Sequence, residues 1–310
     1  MEQYIKDLTY VIQNGEMENT YKMVWIRSIV ETCVLDPNVQ EIQFDQLSKL
    51  IFGYYWNQSI YFDLEQSPNP LKRPVIYQIV LKEVNCFRSQ YGHQPQWFNR
   101  IENKVNVPLA KISSILTKDV CWRFPKVDRK TYDLYDLDQS NRTINVHHPD
   151  KINEYSKILF DLINYRWTQK LEEFNHSPRI SKKVKGTDRV DIKRTSLKKF
   201  KKYLDVENPQ HICFHTGKRI EDKNLSIDHV IPWSYLFSDD LWNLVYVDRA
   251  FNSSKGNKIP NEETILKLEN RNMRLLEQVR SLGVFNKIID QLELALTDGL
   301  VRKFWIGCQG

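Results

Sequence analysis

The chain has 310 residues, 41% hydrophobic and 12% aromatic, with 45 Lys and Arg against 39 Asp and Glu, a net charge of +6. That apolar content excludes a disordered chain, and no apolar run reaches the roughly eighteen residues of a membrane span. The basic balance, with a pI ≈ 8.9, permits nucleic-acid binding without establishing it.

The first residues, MEQYIKDLTY, lack the basic-then-apolar pattern of a secretion signal. Five cysteines, Cys33, Cys86, Cys121, Cys213 and Cys308, are scattered and odd in number. Reduced thiols in a cytoplasm fit them better than a disulfide framework. The length suggests two domains.

The chain opens with helical patterns. Residues 20–33 repeat Tyr21, Val24, Trp25, Ile29 and Cys33 at three- and four-residue spacing, and Pro37 closes the segment. Residues 44–56 place Leu47, Leu50, Ile51, Tyr54 and Tyr55 on one side. A Pro-rich turn at 67–74 leads into a third helix over 75–91. Two shorter helices, 97–105 and 109–116, are split near Pro108. This first part is expected to be a helical bundle. Its aromatics Trp25, Tyr54, Tyr55, Trp56, Tyr61 and Phe62 have the chemistry to stack bases, but at helical spacing they read first as core. Residues 131–137 and 143–146 alternate around a polar Asp138-Gln139-Ser140-Asn141 loop, a hairpin pattern. Pro149 then opens a helix expected to reach about residue 175, roughly 40 Å at 1.5 Å per residue. It reads either as a strut between two halves or as an ordinary bundle helix.

From residue 166 to 219 the composition shifts to fifteen Lys or Arg against six Asp or Glu. Such a run is usually a solvated face. Here it leads into a cluster of potential catalytic groups, so a phosphate-backbone role is favoured. The candidate contacts are Lys182, Lys183, Lys185, Arg194, Lys198, Lys199, Lys201 and Lys202, with Arg249 further on. No base-reading pattern is visible, so sequence preference is not inferred.

The cluster lies between Ile212 and Pro260. Asp228 and His229 are adjacent, Asn243 follows fourteen residues after His229, Asn252 nine after that, and Lys255 closes the group. Residues 225–231 are an apolar run broken by the Asp-His pair and bounded by Pro232, a short strand. Residues 244–247 form a second. Asp248 can cap a helix carrying Arg249, Phe251, Asn252 and Lys255, which Gly256-Asn257 would stop. The order is strand, loop, strand, helix. Asp228 and Asn252 offer hard oxygens suited to Mg²⁺ or Mn²⁺, and His229 has the proton affinity to act as a base near neutral pH. Neighbouring strand residues face opposite ways, so a twist or bulge is expected to re-aim one of the Asp-His pair.

The segments IDHVIPWSYL, DDLWNLV and FNSSKGNK resemble the three parts of the HNH nuclease motif, the ββα-metal fold, and share the spacing of the HNH domain in RNA-guided CRISPR nucleases. The resemblance covers about a sixth of the chain strongly. It implies that Asp228 and Asn252 are metal ligands, His229 the general base, Asn243 the residue holding His229 in orientation by a hydrogen bond, and Lys255 a group near the phosphate. Asn252 stands where many members have His. Many members also carry two Cys-x-x-Cys pairs for a structural zinc. Here the first pair is reduced to Cys213 with His215 or Thr216 nearby and no second pair follows Pro260, so no structural zinc is expected, and His211, Cys213 and His215 read first as surface and packing residues rather than a metal set. FNHSPRISKKV, from Phe174, also resembles the segment before the motif in bacterial HNH proteins with a helical N-terminal half.

The expected fold is α+β: a mainly helical domain over residues 1–175, then a basic linker and an HNH domain over 176–310. Helices at 262–280 and 284–296 buttress the ββα unit, which is too short to bury a core alone. Phe304 and Trp305 in the tail are expected to dock onto that body. The expected activity is Mg²⁺- or Mn²⁺-dependent cleavage of nucleic acid, DNA first, one strand per site, in a restriction or antiphage setting. A partner protein or a homodimer would use the helical N-terminal half. The alternatives are an adaptor whose nuclease acts only within a complex, and an RNase on the same fold. Gly-rich phosphate loops are absent, so ATP use is not expected.

Overall fold

The computed structural model describes residues 3–175, 177–185 and 196–309. The chain divides into two compact units. One holds Met1–Gly92, Gln96–Asn175 and Ile180–Val190; the other holds His93–Pro95, His176–Arg179 and Asp191–Gly310. The fold is α+β, mainly helical with small antiparallel sheets.

In the first unit, helix Tyr21–Leu35 packs against helix Ser156–Phe174, and helix Phe44–Phe62 against Val75–Tyr91 and Leu109–Lys118. Helix Gln3–Asn14, which the sequence reading passed over, also lies on Ser156–Phe174. Trp25, Tyr55 and Trp56 are fully buried, Tyr54 and Phe62 nearly so, and Tyr61 stacks on Trp97 with ring centroids 4.4 Å apart. All but the half-buried Tyr61 are therefore core. A three-stranded antiparallel sheet, ordered Glu41–Gln43, Thr143–Val146, Tyr135–Asp138, closes one side of the unit.

The helix expected to run unbroken from Pro149 is two helices, Pro149–Glu154 and Ser156–Phe174. Tyr155 sits between them at φ −96°, ψ 8°. Its N–H closes the first helix onto the Lys151 carbonyl, and its own carbonyl accepts from Leu159 N to start the second. The second helix buries Leu159, Ile163, Trp167 and Leu171 at three- and four-residue spacing. It is an ordinary bundle helix of this unit.

In the second unit, strand Leu225–His229 pairs antiparallel with strand Leu244–Asp248. Leu244, Val245, Tyr246 and Val247 are all buried, so this strand is covered on both faces. One cover is helix Glu262–Ser281, which contributes Ile265, Leu268, Leu275 and Val279; helix Lys287–Thr297 adds Ile289, Leu292 and Ala295. Burying each such aliphatic side chain stabilises by about 1.5–3 kcal/mol, which a ββα motif as short as Leu225–Lys255 alone cannot collect. The tail forms a third helix, Leu300–Gly307. Phe304 stacks on Trp242 at 5.9 Å and the Trp305 indole N–H donates to the Pro260 carbonyl at 2.7 Å. From helix Glu262–Ser281, fully buried Arg271 donates to the Leu244 carbonyl and Asn272 to the Trp242 carbonyl. Together they grip the backbone on either side of Asn243. Among the described residues, no helix is long and apolar enough to cross a membrane.

Candidate active site

The strand Leu225–His229 ends on the Asp-His pair. Its ladder with Leu244–Asp248 is regular, from Leu225 opposite Asp248 to His229 opposite Leu244. No bulge interrupts it, so the expected re-aiming by a bulge does not occur. The two side chains instead meet different elements. Asp228 Oδ2 accepts a hydrogen bond of 2.7 Å from Lys255 Nζ on the following helix. The His229 ring turns to the loop between the strands, where Nε2 lies 3.1 Å from Asp239 Oδ1. Lys255 Nζ also donates to the His229 carbonyl, so one ammonium ties the helix to both residues.

The helix is Arg249–Lys255, and it forms where its capping chemistry dictates. Asp248 has extended backbone angles and its carboxylate accepts from Ala250 N at 2.9 Å, satisfying one of the free N–H groups of the first turn. Gly256, at φ +55°, ends it in a conformation that side-chain-bearing residues rarely adopt. Asn252 and Lys255 are three residues apart, hence on one helical face. Asn252 Nδ2 donates to Ser226 Oγ at 3.3 Å while Lys255 holds Asp228. Ser226 and Asp228, two apart on a strand, share a face. Asn252 and Asp228 are thus brought to the same face, with the Asn252 amide oxygen making no hydrogen bond among the described residues.

This donor set fits a hard divalent cation. A carboxylate and an amide oxygen are the ligand types Mg²⁺ takes from proteins, with substrate phosphate and water completing the shell. Among the described residues no three His, Cys, Asp or Glu side chains form a metal cluster. His211, Cys213 and His215, adjacent to the site in sequence, are used separately. The His211 ring lies between Asp222 (3.1 Å) and Asp205 (3.3 Å). Cys213 is buried in the core of the unit. His215 stacks on Phe251 with ring centroids 4.7 Å apart, and its Nε2 is buried without a hydrogen-bond partner. Burial, reinforced by the Lys255 ammonium and only partly opposed by Asp228, pushes His215 down to about 4. A neutral, stacked imidazole therefore backs the helix Arg249–Lys255.

Asn243 corrects the sequence reading. Its side chain does not reach His229. Oδ1 accepts from Ile231 N and Nδ2 donates to Ile231 O, both at 2.8 Å, and the residue is fully buried. Asn243 also accepts from Val230 N through its own carbonyl at 2.9 Å. It is a clasp that closes the loop between the two strands. The residue that does meet the His229 ring, Asp239, stands in the sequence as the first of two adjacent aspartates that open the DDLWNLV segment. Nothing there separated it from Asp240, which in the structure accepts from Ser238 Oγ at 2.6 Å.

The basic candidates divide. Lys198, Lys199, Lys201 and Lys202 are exposed along the turn Leu197–Phe200 and the helix Lys201–Glu207, and Arg249 is exposed at the start of the helix Arg249–Lys255. Lys182 is exposed in the other unit. Lys183 is fully buried, its ammonium 5.9 Å from the Phe62 ring centroid, which removes it from the set of surface phosphate contacts. The Lys185 side chain and Arg194 lie outside the described residues.

Two antiparallel strands and a helix, with Asp-His on the first strand and Asn and Lys on the helix, define the ββα-metal class of hydrolytic site. Residues 213–261 match the family model of the HNH endonuclease. Residues 213–261 thus carry an HNH endonuclease domain, which implies nuclease activity in general. No curated protein and no solved structure matches the chain.

Proposed function

We propose that the protein is a metal-dependent endonuclease that hydrolyses phosphodiester bonds in DNA, cutting one strand per active site. The observation that supports this reading most is the shared face of Asp228, Asn252 and Lys255, with His229 adjoining it at the end of the same strand. Asp228 and Asn252 would hold one Mg²⁺ or Mn²⁺. Bound there, the ion supplies charge stabilisation for the phosphate and the leaving oxygen. His229 accepts the proton of the attacking water. Lys255, freed from Asp228, is placed to meet a phosphate oxygen. The exposed lysines of 198–202 and Arg249 would bind the backbone without reading sequence. Products would carry a 5′ phosphate and a 3′ hydroxyl. A role against foreign DNA, in restriction or antiphage defence, belongs to the same proposal and rests on the family resemblance alone.

The substrate class is tested with end-labelled duplexes of one sequence, in deoxyribo and ribo form, with Mg²⁺ or Mn²⁺. DNA cleavage leaving ends that DNA ligase reseals supports the reading. Cleavage confined to the ribo form, unaffected by EDTA, would replace it with an RNase that uses the 2′ hydroxyl.

A further inference from the structure

We propose that Asp239 is the positioning residue of the general base: it fixes His229 in the tautomer with hydrogen on Nε2, so that Nδ1 is the atom that takes the proton from water. The inference rests on the endonuclease reading above for its catalytic half and on geometry alone for its tautomer half.

Three observations carry it. First, the pair is secluded. The His229 side chain is 7% exposed and that of Asp239 14%, at 3.1 Å between Nε2 and Oδ1. A carboxylate can only accept, so Nε2 must donate and the neutral ring keeps its lone pair on Nδ1. Second, Nδ1 makes no hydrogen bond among the described residues, whereas unpartnered buried nitrogens elsewhere, such as His215 Nε2, are fully shielded. Third, the loop that delivers Asp239 is built to hold it. Asn243 clasps Ile231 at the loop's two ends, Asn243 N donates to the Asp240 carbonyl at 2.9 Å, and Ser238 Oγ holds Asp240 at 2.6 Å. Asp240 is engaged by Ser238, and Asp239 faces His229. The orienting role that the sequence pattern suggested for Asn243 is thus divided: Asn243 shapes the loop, and Asp239 touches the ring. A ring held from one nitrogen by a carboxylate has its other nitrogen aimed, the arrangement that serves proton abstraction.

The test combines a spectroscopic and a kinetic readout on the full chain. Long-range ¹⁵N–¹H correlation of histidine-labelled protein, recorded above the ordinary histidine range, reads the tautomer directly; His229→Gln assigns the signal. The wild type is expected to show hydrogen on Nε2, and both Asp239→Asn, whose amide can donate to Nε2 as well as accept from it, and Asp239→Ala to lose that fixed preference. Single-turnover DNA cleavage is expected to fall on the order of 10²-fold in Asp239→Ala and in Asp239→Asn alike. Hydrogen on Nδ1 in the wild type, or an Asp239→Ala variant with unchanged tautomer and rate, would overturn the inference. Should Asp239→Ala fail to fold, the wild-type and Asp239→Asn spectra still decide it. If His229→Gln cleaves as well as wild type, the endonuclease reading fails while the tautomer result stands by itself.

Discussion

Replacing Asn243 separates a structural clasp from a catalytic one. In Asn243→Ala the Ile231 N–H and C=O, both in buried hydrogen bonds of 2.8 Å to the Asn243 amide, lose their partners at once. Ile231 is itself fully buried, so water does not replace the amide without opening the loop. Each orphaned backbone group costs about 1–3 kcal/mol, so the two together cost about 2–6 kcal/mol before the removed side-chain volume is counted. Against a domain stability of about 5–15 kcal/mol that is a large fraction. Urea titrations of wild type, Asn243→Ala and His229→Ala, followed by far-UV circular dichroism, measure it. The expected result is a markedly lower midpoint for Asn243→Ala and a much smaller shift for His229→Ala. An Asn243→Ala protein within about 0.5 kcal/mol of wild type but without cleavage would refute the clasp and return Asn243 to a direct role on His229.

Three more outcomes follow from the site. Lys255→Met strips the partner from Asp228, whose side chain is 16% exposed; a loss of about 1–3 kcal/mol is expected, recovered in part by Mg²⁺ through its preference for the folded state, so melting curves with and without Mg²⁺ should diverge more in the variant than in wild type. His215, pushed from 6.5 to about 4, binds fewer protons folded than unfolded between those values; its contribution is present above pH about 6.5 and is lost as the pH falls toward 4, by about 1–2 kcal/mol after discounting for partial exposure, and His215→Phe in EDTA should flatten that slope of stability against pH. Asp248→Ala removes the cap of a helix only seven residues long at about 1 kcal/mol, and cleavage should fall more than stability does, because Asn252 is aimed by that helix.

The catalytic helix was legible because its signals are local: a capping Asp248, a stopping Gly256, and Asn252 and Lys255 three apart. Both strands were legible from their apolar runs. Four features were not, for physical reasons. Lys183 hides in a basic run, yet it shares a helical face with buried Ile180 and Val184, three before and one after it; periodicity was the signal, and charge obscured it. Asn243 sits at the spacing the motif demands, but spacing does not say which backbone or ring an amide will meet. Asp239 and Asp240 are identical side by side, and only the turn at Ser238 decides which faces His229. The break at Tyr155 left no Pro or Gly to mark it.

The most direct test of the site as a whole is nicking of supercoiled plasmid with Mg²⁺ or Mn²⁺ by wild type, Asp228→Ala, His229→Ala and Asn252→Ala, with EDTA as control. The expected result is open-circular product from wild type only, abolished by EDTA. Equal nicking by wild type and all three variants would contradict the assignment of the active site to the face shared by Asp228 and Asn252 and to the adjoining His229.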